Sequence, residues 1–345
     1  MKENINLTKQ FTSNKRVPAE WEKQRCILMS FPHEDTDWVE VLQSAIVTFI
    51  NIAQAISHLQ PVYIICKNKE YTSSLFYSTS NMSFIEIPTN DTWIRDYGYI
   101  SIVENSETKL LDFTFDGWGR KFESSLDNMA NRILHQKGYM GSTIMESVDF
   151  VLEGGSIESD GNGTILTTTQ CLCNPNRNGG LSKSEIESKL NQYLGTKRIL
   201  WLDYGYLAGD DTDSHIDTLA RLVNEKTIVY VKCSDKSDEH YTSLKLMEKQ
   251  LKTFRTIDGK AYNLIPLPMC EKKIGKNGNR LPATYANFLI INHALLYPIY
   301  DDKNDKKVGK IFRELFPDRE IIAIDCLKLI EQGGSLHCST MQVTS

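Results

Sequence analysis

The segment between residues 26 and 66 decides the fold class, because two apolar runs there flank a helical pattern. It contains CILMS at Cys26–Ser30, VEVLQSAIVTFINIAQAIS at Val39–Ser57 and VYIIC at Val62–Cys66. The two short apolar and β-branched runs are typical of buried strands, whereas the middle segment carries apolar residues at helical spacing. Strands and helices in this order predict an α/β protein.

The same alternation continues to the end of the chain. Further strands are predicted at Phe84–Ile87, Tyr99–Val103, Thr164–Thr168, Thr227–Val231, Phe288–Ile291 and Ile321–Ile324. Further helices are predicted at Lys183–Leu194, Tyr241–Phe254 and Val308–Phe316. A looser unit of strand, polar turn and sometimes helix recurs, so internal repetition is suspected. The glycine-rich motifs of nucleotide-binding proteins do not occur, which argues against that class.

The composition is that of an ordinary globular protein. The 345 residues are 41% hydrophobic and 24% charged, which is enough for a sizeable core. The net charge is -5 and the basic residues are spread out, which argues against nucleic acid as a partner. The polar start has no apolar signal region and no run is long enough to span a membrane. We therefore expect a cytoplasmic protein with no membrane partner and a single catalytic domain over residues 1–345. Within it, residues 1–16 are expected to be a flexible or loosely packed segment.

The eight cysteines are scattered along the chain. Four of them lie in or beside strand-like segments and are interpreted as buried free thiols: Cys26, Cys66, Cys233 and Cys326. Cys171 and Cys173 form a C-x-C pair, but no second pair stands at a spacing typical of zinc sites. A structural role is favoured for that pair.

Two segments combine acids with features that are unusual for a surface loop. In WIRDYG at 93–98, an Arg-Asp pair lies between large aromatic residues. This pattern fits a carboxylate in an aromatic pocket suited to a flat cation, or a surface salt bridge beside a core tryptophan. In EGG at 153–155, paired glycines follow an acid and enter a strand. The glycines indicate either close backbone approach to another group or a β-bulge with an exposed glutamate.

A third segment, GDDTDSHIDT at 209–218, surrounds a histidine with aspartates. In extended backbone, His215 and Asp217 would face the same side. A His–Asp pair for general acid–base catalysis is one interpretation, and a metal site is another. A calcium loop is a further alternative, although the required register and closing glutamate are missing. A solvated acidic turn with a surface histidine is the fourth.

The fourth segment, QGGSLHCST at 332–340, places two glycines before a cysteine in a polar tail. Paired glycines let backbone N–H groups approach a reacting centre, and a thiolate is an effective nucleophile. A small buried hydrophobic residue is the alternative role for Cys338. The order of carboxylate, histidine and cysteine differs from that of papain-like proteases, and no G-x-S-x-G is present.

Taken together, W-x-R-D, E-G-G, S-H-I-D and G-G-S-L-H-C-S-T resemble the agmatine deiminase and bacterial peptidyl-arginine deiminase family of guanidine-modifying enzymes. The resemblance extends from Val17 to Cys338, with further matches at Pro18–Glu22, Phe31–Glu34, Trp118–Lys121 and Asn174–Asn178. It implies a five-bladed pseudo-symmetric α/β propeller of ββαβ-type repeats around a central active site.

The resemblance also implies roles for individual residues. It assigns Cys338 as the nucleophile, His215 as the general acid and base, Asp96 and Asp217 as the guanidinium-binding carboxylates, and Glu153 as an additional active-site acid. Trp93 is assigned to substrate binding as a wall for the cation or its aliphatic stem, with an ordinary core tryptophan as the alternative. Neither a metal nor an organic cofactor is required.

The leading hypothesis for the reaction is hydrolysis of agmatine to N-carbamoylputrescine and ammonia, through a covalent amidino-cysteine intermediate, in polyamine and putrescine biosynthesis. The partner is then a small cationic guanidinium substrate, and a homodimer is a family-level expectation. Deimination of free, methylated or peptidyl arginine is the alternative. A non-catalytic propeller that acts as a binding protein belongs to a different class, but it predicts loss of the catalytic set, which this chain retains. Departures from the family pattern stand beside the reacting groups, at Ser214, Thr218, Gln332 and Ser335.

Overall fold

The structure is a computed structural model, and it describes residues 14–345. Most of the segment predicted to be flexible or loosely packed therefore lies outside the described residues. Only its last residues, from Asn14, are described. Lys15 and Arg16 form a short strand that pairs with Glu104 and Val103, and Arg16 forms an ion pair with Glu22.

Strands and helices alternate through the described chain, as predicted. The strands are β1 (Lys15–Arg16), β2 (Gln24–Ser30), β3 (Val62–Cys66), β4 (Met82–Glu86), β5 (Ile100–Glu104), β6 (Glu107–Thr114), β7 (Ile144–Val151), β8 (Ile157–Ser159), β9 (Thr164–Thr168), β10 (Arg198–Leu202), β11 (Ala220–Asn224), β12 (Thr227–Lys232), β13 (Asn263–Pro268), β14 (Leu289–Ile291), β15 (Ala294–Ile299), β16 (Glu320–Asp325) and β17 (Thr340–Thr344). The helices are α1 (Leu42–Ser57), α2 (Lys69–Ser74), α3 (Ile94–Tyr97), α4 (Gly117–Arg120), α5 (Asp127–Gln136), α6 (Thr169–Leu172), α7 (Lys183–Leu194), α8 (Tyr241–Leu251) and α9 (Asp305–Leu315). None of the helices in residues 14–345 has the length and apolar character needed to cross a membrane.

The predicted elements all occur, with differences at their ends. The first helix begins at Leu42 rather than at Val39, because turns that bond Val39 to Thr36 and Val41 to Trp38 precede it. The helix α7 has the predicted bounds, since Ser182 caps its first turn together with Glu185.

The strands form five separate open sheets in the described chain: sheet I (β17-β2-β3-β4), sheet II (β1-β5-β6-β7), sheet III (β10-β9-β8), sheet IV (β11-β12-β13) and sheet V (β14-β15-β16). Every sheet contains an antiparallel pair followed by a parallel neighbour, and a helix connects the two parallel strands. Those helices are α1, α5, α7, α8 and α9. The suspected repeat is thus visible as the order ββαβ. The arrangement of the five units about one axis stays a prediction.

Sheet I joins the two ends of the described chain. Its strand β17 pairs antiparallel with β2, with Thr340 opposite Met29. The side chains of Ile27, Leu28 and Met29 are fully buried, so both faces of β2 are covered. The C-terminal strand and the residues just before it are therefore fixed against the N-terminal unit.

Candidate active site

Five polar residues hold equivalent positions in the five units. Each lies just before the first strand of its unit: Asp96 before β5, Glu153 before β8, Asp217 before β11, Asn287 before β14 and Cys338 before β17. Hydrogen bonds and close contacts connect most of them, as described below. Segments distant in sequence therefore converge on one buried site, as the resemblance implies.

Cys338 lies among groups that can hold its sulfur in place. Its Sγ is 3.2 Å from the amide nitrogen of Asn287 and 3.8 Å from Oδ2 of Asp217. Only 6% of the residue is exposed. Burial, followed by the negative charges of Asp217 and Asp96, raises the pKa of the Cys338 thiol well above its usual range. Without a nearby cation, the residue is therefore a thiol.

Asp217 is fully buried and its two oxygens differ in their surroundings. Oδ2 accepts hydrogen bonds from Nδ1 of His337 at 2.8 Å and from Nδ2 of Asn287 at 3.2 Å. Oδ1 has no hydrogen-bond partner in the structure. Burial raises the pKa of Asp217, but the His337 hydrogen bond and the neighbouring positive charges, Arg221 among them, together outweigh it and hold the pKa below its ordinary value. Asp217 is thus an ionised carboxylate with one oxygen left to bind a ligand.

His215 is buried, which excludes the surface histidine considered above. Its Nδ1 lies 3.5 Å from Oδ1 of Asp96, and its Nε2 has no hydrogen-bond partner among residues 14–345. Burial lowers the pKa of His215 to about 3, although the Asp217 charge opposes that change. A neutral imidazole can accept a proton and return it, as a general acid and base must.

Asp96 is held by neighbours from two other segments. Its Oδ2 accepts from Nε1 of Trp118 at 2.9 Å, and its Oδ1 accepts from the backbone N–H of Gly155 at 2.9 Å. Burial raises the pKa of Asp96 well above its usual range, and the Asp217 charge adds to the rise. The preceding Arg95 donates to the carbonyl of His337 at 3.2 Å, so the Arg-Asp motif does not form the surface salt bridge that was the alternative interpretation.

Glu153 joins an arginine of the NPNRN segment. Nε of Arg177 donates to its Oε1 at 2.7 Å, and neither side chain is exposed. Its Oε2 has no hydrogen-bond partner. Burial raises the pKa of Glu153, against the opposing charge of Arg177. A carboxylate oxygen of Glu153, a ring nitrogen of His215 and the sulfur of Cys171 lie within 4.8 Å of one another.

The paired glycines predicted to allow close approach do so. A Cβ on Gly155 would lie 2.7 Å from Nδ1 of His215 and 2.8 Å from Oδ1 of Asp96. A Cβ on Gly334 would lie 2.4 Å from the indole of Trp93. Side chains at either position would displace groups of the site, so glycine is required there.

A cavity of about 270 Å³ leads to Cys338, Asp96 and Trp93. Trp93 itself is 4% exposed and packs against Trp38, with 5.6 Å between ring centroids. It is therefore both a core residue and part of the cavity wall. Other acidic residues that line the cavity are Asp37, Asp91, Asp210, Asp211 and Glu331. The described lining contains one cationic residue, Arg280, whose guanidinium is bound to Asp238 and Glu239.

Three residues of the site were not predicted. Asn287 carries no charge and lies among apolar residues, so nothing in the local sequence marked it as a site residue. Its position just before β14 matches the positions of Asp96, Glu153, Asp217 and Cys338 in the other four units. His337 is adjacent to the predicted cysteine but was not assigned a role. Trp118 lies in the WGRK segment, which was noted only as a family match. Asn287 is found once the five units are compared, whereas His337 and Trp118 are found from their hydrogen bonds to Asp217 and Asp96.

Several known proteins are similar to this chain over nearly its whole length. A relative from Marinomonas sp. (strain MWYL1), named "putative agmatine deiminase", is 31% identical over 347 residues, which cover 95% of this chain and 94% of the relative. A substrate-bound cysteine-to-serine variant of C. jejuni agmatine deiminase is 40% identical with a TM-score of 0.92, covering 99% of both chains. The agmatine deiminase of Enterococcus faecalis is 26% identical with a TM-score of 0.87, covering 96% of both.

The fold, the site and these comparisons define a hydrolase that acts on the C–N bonds of guanidino groups. The chain belongs to the Porphyromonas-type peptidyl-arginine deiminase family, whose model matches residues 16–344. A dimethylarginine dimethylaminohydrolase is only 9% identical with a TM-score of 0.52, and this likeness shows a shared α/β fold alone.

Proposed function

We propose that this protein hydrolyses agmatine to N-carbamoylputrescine and ammonia through a covalent amidino-cysteine intermediate. The observation that supports agmatine is the acidic lining of the cavity that leads to Cys338. Agmatine carries an ammonium group at the end of its chain, whereas arginine carries a carboxylate there. Carboxylates in the wall of the cavity attract an ammonium group and repel a substrate carboxylate.

Among the described residues, Arg280 and Arg177 are already paired and do not offer a site for a substrate carboxylate. Arg280 is the cationic residue of the described lining, and it already binds Asp238 and Glu239. Arg177 is fully buried against Glu153 and does not line the cavity. These pairings favour a substrate whose chain ends in an amine over a substrate whose chain ends in an amino-acid group.

The guanidinium is proposed to bind between Asp96 and Asp217. Oδ1 of Asp217 is buried without a partner, so it can accept from a guanidinium N–H. The cation also favours ionisation of Asp96 and of the Cys338 thiol, both of which are disfavoured without it. Binding therefore prepares the nucleophile and places it beside the guanidinium carbon.

The sulfur of Cys338 then adds to the guanidinium carbon. The proton from the thiol passes to neutral His215, which transfers it to a terminal nitrogen so that ammonia leaves and an amidino-thioether remains. A water molecule gives a proton to His215 and adds to the same carbon. The C–S bond breaks, and the thiolate takes back the proton from His215. The hydroxyl proton of the cationic carbon centre is released, so the ureido product leaves neutral and the ammonia ends as ammonium.

Two neighbours are proposed to support these steps. The amide nitrogen of Asn287 lies 3.2 Å from the sulfur and can donate to a thiolate. The Glu153 carboxylate lies close to a ring nitrogen of His215, where it stabilises the imidazolium formed during the reaction. Three donors near one another, on Glu153, Cys171 and His215, could hold a metal ion, but the steps above use His215 for proton transfer and Glu153 to stabilise its imidazolium.

We further propose that the five ββαβ units surround the site as a propeller. The support is that each unit contributes one site residue from the same position, and that β17 pairs with β2. The homodimer, the cytoplasmic location and the role in putrescine biosynthesis stay predictions.

The proposed function is tested by measuring ammonia release with agmatine, free arginine, methylated arginine and an arginyl peptide. We expect the highest kcat/KM with agmatine and no release by Cys338→Ala, with Cys173→Ala as the matched control that keeps activity. A higher kcat/KM with an arginine substrate would overturn the choice of agmatine. Absence of release from all four would overturn the deimination itself.

A further inference from the structure

His337 lies between two buried carboxylates. Its Nδ1 is 2.8 Å from Oδ2 of Asp217, and its Nε2 is 2.7 Å from Oε2 of Glu20. Nη2 of Arg221 approaches the same Nε2 at 3.0 Å. All four side chains are buried. The imidazole therefore connects Asp217, the carboxylate that faces the substrate, to Glu20 and Arg221 on its other side. Glu20 and Arg221 belong to a second set of buried charges, called here the charged layer.

The protonation of His337 is assigned from its contacts. In a neutral imidazole, the tautomer with its proton on Nδ1 lets Nδ1–H donate to Asp217 and lets Nε2 accept from the guanidinium of Arg221, while Oε2 of Glu20 lies close to the same Nε2. In a charged imidazole, both nitrogens carry protons. In either state Nδ1–H donates to Asp217.

The layer behind His337 is rigid. Arg221 donates to Oε2 of Glu20 at 2.8 Å and to the carbonyl of Phe288 at 2.7 Å, and its guanidinium also binds Glu158. The other oxygen of Glu20 accepts from the backbone of Ile290 at 2.7 Å. Each charge of this layer is paired, so the ring of His337 has one available orientation.

This geometry fixes Asp217 in turn. Its Oδ2 is occupied by His337 and Asn287, which leaves Oδ1 as the oxygen for a ligand. Without His337, the carboxylate can rotate toward the Cys338 thiol, 3.8 Å away. The carboxylate would then no longer face the guanidinium in a single geometry.

We infer that His337 is a positioning residue for the reaction, with its Nδ1–H holding Asp217 ionised and aimed at the guanidinium while Glu20 and Arg221 hold the imidazole. The inference rests on the proposed function, because it assigns Asp217 to guanidinium binding. It adds a role for a residue and for a charged layer that do not contact the substrate.

Loss of the Nδ1–H donor of His337 is expected to change the pH dependence of kcat/KM in a defined direction. The hydrogen bond from His337 lowers the pKa of Asp217 against the opposing effect of burial, so its removal raises that pKa. A larger fraction of Asp217 is then protonated at a given acid pH, and the acid limb of kcat/KM moves to higher pH. The titratable and charged groups that face Asp217 are Arg95, Asp96, Asp210, His215, Arg221, His337 and Cys338.

Two substitutions separate the two nitrogens of His337. His337→Asn places an amide nitrogen near the position of Nδ1 and keeps the donor to Asp217. His337→Gln places it near Nε2 and removes that donor. We expect kcat/KM for His337→Gln to fall about 100-fold with its acid limb at higher pH, and His337→Asn to keep most of the wild-type rate and its acid limb.

Chemical unfolding of each variant shows whether the variant protein is still folded. If neither variant folds, Glu20→Gln is measured instead, and the acid limb should again move to higher pH as the imidazole loses an anionic partner. Any other pattern, such as equal effects of Asn and Gln or unchanged pH profiles, overturns the inference. Wild-type protein that releases no ammonia would instead overturn the proposed function.

Discussion

Arg177 and Glu153 form an ion pair in which Nε donates to Oε1 over 2.7 Å and neither side chain is exposed. The same guanidinium binds Oδ2 of Asp213 at 2.7 Å and the carbonyl of Thr212 at 3.1 Å. Arg177 therefore connects the carboxylate beside His215 to the loop that leads into His215. The NPNRN segment acts on the site without lining the cavity.

Replacement of Arg177 by methionine should destabilise the protein strongly. It leaves Glu153 as a buried charge without a partner, which costs about 3–5 kcal/mol in the free energy of unfolding. Chemical denaturation measures that change. The exposed Arg313→Met serves as the control, with an expected change below about 0.5 kcal/mol. The double variant Arg177→Met with Glu153→Gln should recover part of the loss, and equal stability of single and double variants would contradict the ion-pair explanation.

Replacement of Gly155 by alanine should abolish ammonia release while the chain still folds. The added Cβ would meet both His215 and Asp96 at under 3 Å, so these side chains must shift. A displacement of about 1 Å costs about 100-fold in rate. A steady-state assay of kcat together with circular dichroism tests this expectation. Gly259→Ala is the control: no atom lies within 4 Å of a Cβ there, so kcat should be unchanged, although the φ of +80° at this position lowers the stability of the variant. Wild-type kcat for Gly155→Ala would show that the contact is not needed.

The affinity for agmatine should fall at acid pH. Burial, with a contribution from Asp37, raises the pKa of Asp91 to about 6, and burial raises that of Asp210 to about 6 as well. Both carboxylates in the cavity wall are therefore charged above this pH and lose their charge as pH falls through it. We expect KM to rise over that range.

The variant Asp91→Asn tests the origin of that rise. It should raise KM about five-fold at neutral pH, which corresponds to about 1 kcal/mol of lost attraction, and it should reduce the acid-side increase. Glu271→Gln, an exposed acid outside the cavity, is the matched control and should leave KM unchanged. A pH-independent KM in the wild type would argue against carboxylate recognition of the tail.

Alkylation of Cys338 in the free protein should accelerate continuously with pH. Burial and the charges of Asp217 and Asp96 raise its pKa, so the reactive thiolate increases through pH 9 without a plateau. The rate of iodoacetamide labelling in a Cys173→Ala background measures this, because Cys173 is the one thiol that is not buried. A plateau below about pH 8 would mean that the thiolate is already formed without substrate.

Much of the fold was predictable because local patterns agree with the structure. The runs at Val62–Cys66 and Thr164–Thr168 became strands with those bounds. The strands that were not predicted have weaker patterns. The strand β15 contains Pro298, which normally argues against a strand, and β7 is mostly exposed. Pairing with a neighbouring strand stabilises them, and a single sequence does not show that pairing.

The site was predictable where its residues carry charge or a thiol. Asp96, Glu153, His215, Asp217 and Cys338 were all named from their motifs, and the structure brings them together.

The contacts that tune these groups were not predictable. The unpaired Oδ1 of Asp217 and the bond from Trp118 to Asp96 depend on segments brought together only by the fold. A sequence motif identifies the residue that carries a reacting group. The pKa and the orientation of that group are set by neighbouring residues that are distant in sequence.

The pairing of β17 with β2 has a consequence for how the enzyme comes into existence. Cys338 lies just before the strand that pairs with the first long strand of the chain. During synthesis on the ribosome, the carboxylates and the histidine emerge well before Cys338, the proposed nucleophile. A polypeptide that is interrupted before residue 338 lacks this sulfur, so under the proposed mechanism prematurely terminated products are inactive. Under that mechanism, activity begins when β17 pairs with β2.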